Sequence, residues 1–97
     1  MIAKQENAVL YVGSKELETY IKTFVFLQKR KGADIITIAA RGKNTSTAID
    51  LALWLKMNNS VQISDVIIRS IDREAREDSS KTVAMSEINI ITKNGHG

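Results

Sequence analysis

Two short stretches carry residue types at a spacing that could do chemistry. Gly13-Ser14-Lys15 follows an apolar run and precedes a helical pattern. That places Lys15 beside a helix N-terminus and its unpaired N–H groups, a setting suited to a phosphate. Arg41-Gly42-Lys43 repeats the arrangement, with Asn44, Thr45, Ser46 and Thr47 as further donors. Gly42 allows the backbone to approach a phosphate closely. Each stretch also has a plainer reading: Lys15 as an exposed lysine in a tight turn, and 41–47 as a strand-to-helix turn with its capping residues. The pair is more informative than either member. In a β-α-β-α layout both loops fall at the same end of the sheet. Neither has the additional glycines of a P-loop or a dinucleotide fingerprint, so no nucleotide cofactor is expected.

The other charged clusters read differently. Lys29-Arg30-Lys31 lies a helix length of about 25 Å from Lys15 and compensates the negative pole of that helix. The stretch from Asp72 to Lys81 holds Arg73, Arg76 and Lys81 against Asp72, Glu74, Glu77 and Asp78. Phe24, Phe26 and Trp54 sit at core spacing in helices, where packing explains them better than base stacking. The chain has no cysteine, and its one histidine, His96, is next to the last residue. A thiolate site, a Ser-His-Asp triad and a multi-histidine metal site are therefore not expected. No carboxylate pair marks a general acid–base site. The expectation is a protein without enzymatic activity, metal or cofactor. No apolar run reaches the roughly 20 residues of a membrane span, and the polar start shows no signal peptide.

The elements that must position these residues can be read in order. Ala8 to Val12 reads as a buried strand ending at Gly13. Ser14 offers an N-cap, and Leu17, Tyr20, Ile21, Phe24 and Leu27 form one apolar stripe of a helix that Gly32 closes. Asp34 to Ala40 is a second strand, and a second helix runs from the Asn44–Thr47 caps to about Met57. Val61 to Ile71 and Thr82 to Thr92 are long strands joined by the polar stretch, a hairpin with a projecting arm. The fold class is α+β: a two-layer β-α-β-α-β-β domain with two helices on one face of a four-stranded mixed sheet. It spans residues 1–97, with 1–7 and 93–97 as flexible tails. The second helix is apolar over most of its circumference, so a partner subunit is expected on Leu51, Trp54, Leu55 and Met57.

Composition agrees with one soluble globular unit: 97 residues, 43% hydrophobic and 26% charged, net charge +3. Residues 1–44 hold eight Lys and Arg against four Asp and Glu, or +4, while residues 45–97 hold six against seven, or −1. A basic surface is therefore built mainly from the first half, a hint of a nucleic-acid partner.

Val9-Leu10-Tyr11-Val12-Gly13-Ser14-Lys15, Tyr20-Ile21, Ile36 to Lys43 and Ala48-Ile49-Asp50 together resemble the Alba family of archaeal chromatin proteins. The resemblance runs from about Ala8 to Thr92. Its most specific piece is Ala40-Arg41-Gly42-Lys43 at a strand end, with Ala48-Ile49-Asp50 in the following helix. It implies a fold like the C-terminal domain of a bacterial translation initiation factor. It implies a dimer, with itself or with a paralogue, that coats double-stranded DNA with little sequence preference and also binds RNA. The family's glycine-lysine-lysine turn appears as Gly13-Ser14-Lys15, so Lys15 is the implied nucleic-acid contact. It is also the implied acetylation site, with an acetyltransferase and a deacetylase as partners. Arg41, Gly42, Lys43 and Asn44 form the second implied contact, and Arg73 and Arg76 on the arm would reach the minor groove. The implied location is the chromosome, in the cytoplasm. An RNA-binding subunit of a ribonucleoprotein and a protein-interaction module remain as alternatives.

Overall fold

The computed structural model describes residues 6–74 and 82–94. Strand β1 (Glu6–Val12) leads to helix α1 (Leu17–Lys29), then strand β2 (Ala33–Arg41). A single 3-10 turn, Gly42–Asn44, opens into helix α2 (Thr45–Asn58), followed by strands β3 (Gln62–Glu74) and β4 (Thr82–Lys93). The sheet order is β1-β2-β4-β3, with β1 and β2 parallel and the other pairs antiparallel. This is the α+β architecture expected. Glu6, Asn7 and Lys93, expected in tails, are strand residues: Glu6 and Asn7 pair with Ala33 and Ile35, and Lys93 with Ile35 and Gln62.

One face of the sheet is covered by both helices. Leu10 and Val12, Ile36, Ile38 and Ala40, and Ile88 and Ile90 are buried there against Tyr20 and Phe24 of α1. From α2 come Ala48, Leu51, Ala52 and Leu55, at the i, i+3, i+4, i+7 spacing of one helix face. Thr92 is the polar member of this layer, and its hydroxyl donates to the Ile36 carbonyl at 2.7 Å. Leu51 and Leu55 are therefore core residues, not dimer contacts as expected. A helix apolar all round does not reveal which side is inward, and the sheet takes these two. Ile49, Leu53, Trp54 and Met57 are the ones left exposed.

The opposite face is bare. The apolar run that opens the chain is not a fully buried strand, because β1 is an edge strand with helices on one side only. Val9 and Tyr11 point away from the core, and Tyr11 is 77% exposed. Ser14 does not cap α1. The helix begins two residues later than that cap requires, with Glu16 as a cap residue that makes no side-chain bond. At the other end Gly32, at φ 66°, turns the chain in the left-handed region open to glycine.

β3 and β4 outrun the rest of the sheet. The last β2 pair is Arg41 with Glu87, yet the β3–β4 ladder continues from Ser70↔Ser86 to Glu74↔Thr82. Those five residues of β3 extend the ribbon by about 17 Å at 3.4 Å per residue. Because β1 and β2 are parallel, the arm leaves the same sheet end at which both strand-to-helix loops begin.

Candidate nucleic-acid interface

The first loop is held from inside. Tyr20 is buried in α1, and its hydroxyl oxygen accepts the backbone N–H groups of Gly13 at 2.8 Å and Lys15 at 3.0 Å. This fixes the turn and leaves the Lys15 side chain exposed. It also commits two N–H groups that the expected phosphate setting would have turned outward. Lys15 thus acts as a projecting charge and not as part of a backbone cradle.

The second loop starts with Arg41 in extended conformation and Gly42 at φ 57°. A side chain at position 42 would strain the backbone there. The Thr45 hydroxyl donates to the Gly42 carbonyl at 3.0 Å, while Asn44 makes no side-chain cap. Lys43 is exposed. Val12 pairs with Ala40, so Gly13 and Arg41 leave adjacent strands side by side.

Arg41 is not a solitary cation. Its Nε donates to Glu87 Oε2 at 3.0 Å, and Arg69 donates from Nε at 3.1 Å and Nη2 at 2.6 Å to Glu87 Oε1. The Asn89 amide adds a contact at 3.3 Å. The Glu87 side chain is only 8% exposed, against 65% for each arginine. Hydrogen bonds from Arg69 first, then Arg41, hold its carboxyl below the ordinary glutamate range, although burial acts in the opposite direction. The cluster carries one net positive charge, and its two guanidinium groups are anchored beside each other.

Register explains why these residues meet. Arg41, Glu87 and Arg69 are direct partners across β2, β4 and β3. One step along the same face come Tyr11, Ala39, Asn89 and Ile67, and one step further Val9, Thr37, Ile91 and Asp65. Small Ala39 between larger neighbours leaves a hollow of about 470 Å³, bordered by Tyr11, Thr37, Arg41, Arg69 and Asn89.

Arg73 lies on the arm opposite Val83, at the same sheet end as the loops. Arg76 lies outside the described residues. Lys29, Arg30 and Lys31 sit at the far end of α1. Lys31 Nζ stands 6.0 Å from the centre of the Phe26 ring, a cation–π contact that accounts locally for a half-exposed aromatic expected to be core. Among the described residues, no helix is long and apolar enough to cross a membrane.

No family model matches the chain. A DNA/RNA-binding protein Alba from Nanoarchaeum equitans is 31% identical over 91 residues, covering 87% of this chain and 97% of that protein. The chain belongs to the Alba family. DNA/RNA-binding protein Alba 2 from Methanopyrus kandleri is 35% identical over 63 residues, which is 63% of this chain and 67% of the relative. Alba from Thermoplasma volcanium superposes with TM-score 0.74 at 23% identity, over 89% of this chain and 99% of its own. ALBA1 from Trypanosoma brucei gives TM-score 0.71 at 14% identity, over 89% and 68%. At these identities the two solved structures are likenesses of fold.

In this Alba-family chain the sequence reading missed Arg69, Glu87, Tyr11 and Asn89. The signal for Tyr11 was present, since alternate residues of an edge strand face opposite sides. Glu87 and Arg69 had none. Their meeting depends on the β3–β4 register, which no local pattern sets.

Proposed function

We propose that the protein is a dimeric, sequence-tolerant nucleic-acid-binding protein that coats double-stranded DNA on the chromosome and also binds RNA. The observation that carries this reading is the convergence of Lys15, Arg41, Lys43 and the arm at one end of the sheet. The names of the two archaeal relatives support it. Lys15 and Lys43 act as projecting charges, and Arg41 with Arg69 as an anchored pair. Such contacts to phosphate position a protein without reading sequence. Acetylation of Lys15 would remove one of the projecting charges and weaken binding.

The dimer forms through α2 and the neighbouring sheet edge. Ile49, Leu53 and Met57 stand four residues apart on the outer side of α2, and Met57 is 82% exposed. Val66 and Ile68 pair with core residues Ile90 and Ile88, so they lie on the helix-bearing face of β3, yet both are exposed. A second copy, or a paralogue with the same face, would bury this surface. Sedimentation at micromolar concentration should give a dimer, and Leu53→Glu with Met57→Glu should give a folded monomer.

The binding test is a titration with duplex DNA and structured RNA at several salt concentrations. Lys15, Lys43 and the net charge of the arginine cluster make three positive charges per protomer, six per dimer. The slope of log K against log salt should be about −5 on B-DNA. A protein that binds neither duplex nor RNA at low salt overturns the reading.

A further inference from the structure

We propose that the open face of the sheet is a single-strand subsite, taking an unpaired nucleobase on the Tyr11 ring and its phosphate at Arg41 and Arg69. The proposal rests on the nucleic-acid-binding reading above and adds a site apart from the projecting lysines. Tyr11 contributes almost nothing to the core: the residues before and after it, Leu10 and Val12, are buried, while its own side chain stands in solvent. A single exposed aromatic is common, but this one borders a hollow that is also lined by Arg41, Arg69 and the Glu87 carboxylate between them. The hollow's volume, about 470 Å³, falls within the roughly 300–1,000 Å³ of small-molecule sites.

The chemistry around the hollow matches a nucleotide. The Tyr11 ring offers an aromatic surface to a base. Ala39 beside it has no bulk to block the approach. Thr37 and Asn89 also line the hollow and add a hydroxyl and an amide, the latter shared with Glu87. Arg41 gives only its Nε to Glu87, and its terminal nitrogens make no hydrogen bond among the described residues. Glu87 holds the two guanidinium groups together without cancelling them, since two positive charges face one negative. The net charge therefore favours an anion. A base paired inside a duplex cannot lay its face on a side chain, so the occupant is a single strand, whose bases stack on aromatic platforms.

The test uses fluorescence anisotropy with a labelled single-stranded oligonucleotide and a labelled blunt duplex. Parent protein is compared with Tyr11→Ala, Tyr11→Phe and Ala39→Leu, each checked for folding by circular dichroism. Tyr11→Ala should weaken single-strand binding by roughly 5- to 160-fold, the effect of losing one base–aromatic stack, and leave duplex binding unchanged. Tyr11→Phe should retain parental affinity because the ring remains. Ala39→Leu should weaken single-strand binding by filling the hollow. A folded Tyr11→Ala variant with parental single-strand affinity overturns the proposal, as does an equal loss on duplex. A parent that binds duplex but no single strand overturns this inference alone. A parent that binds neither removes the proposed function as well.

Discussion

Both ends of the sheet carry clustered cations, and they are built on opposite plans. At the loop end, Lys15 and Lys43 project from turns whose backbones are fixed from below, by the Tyr20 hydroxyl and by the Thr45–Gly42 bond. At the far end, Lys29 lies in the last turn of α1, Arg30 caps it and Lys31 follows, so that the three offset the helix dipole. That end is tied by amides. Gln28 Nε2 donates to Asn94 Oδ1 at 2.5 Å, and Asn59 Nδ2 donates to Gln28 Oε1 at 3.0 Å. Local charge density alone does not separate the two ends. What separates them is whether the cation sits on a rigid turn beside other cations from distant parts of the chain, or serves its own helix.

Neutralising each end in turn should separate the two plans most sharply. Lys15→Gln with Lys43→Gln removes four positive charges per dimer. The salt slope on duplex DNA should become shallower by about 3.6, from near −5, with similar losses on unrelated sequences. Lys29→Gln with Lys31→Gln removes the same number of charges and should leave the slope nearly unchanged. Equal losses from both pairs would mean that diffuse charge, and not placement, drives binding.

Much of this difference was legible in the residues. Glycine at 13, 32 and 42 marks the turns, and the stripe through Tyr20 and Phe24 marks the buried side of α1. The order of elements follows from these and puts both loops on one sheet end. What could not be read depends on long-range packing. Leu51 and Leu55 have the same chemistry as Leu53, and only the position of the sheet makes two of them core and one surface. Tyr20 reads as one more apolar residue, although its hydroxyl organises the turn before it. No local pattern marks Glu87, and only register sets it between Arg41 and Arg69, 46 and 18 residues away along the chain.

The supports beneath each end give the next two tests. Tyr20→Phe keeps the ring in the core and removes the acceptor of two N–H groups. It should cost about 1–3 kcal/mol in urea unfolding and loosen the turn, so that part of the Lys15 contribution to the salt slope is also lost. Asn59→Ala breaks the Gln28 bond at the other end. It should cost about 0.5–1.5 kcal/mol with unchanged affinity for duplex and single strands. An Asn59→Ala variant with weakened binding would show that the amide-tied end takes part in the interface after all.

The smallest effect concerns acid and rests on Glu87. Its pKa is lower in the folded chain because Arg69 and Arg41 bind the ionised form. In the unfolded chain it returns to about 4.3. The unfolded state therefore takes up a proton more readily. The stabilisation is fully present above the unfolded value and is lost as pH falls through the lowered folded value. Glu87→Gln cannot ionise and loses this dependence. Its stability should lie below the parent's by a constant amount from neutrality down to about pH 5, and the two curves should converge at more acid pH. Added salt should shrink the gap, because both arginines are largely exposed and screened. Urea unfolding of both proteins across that pH range, at low and high salt, measures the effect. A gap that persists unchanged into strong acid would mean that residue 87 matters through its shape in the sheet and not through its charge between the two arginines.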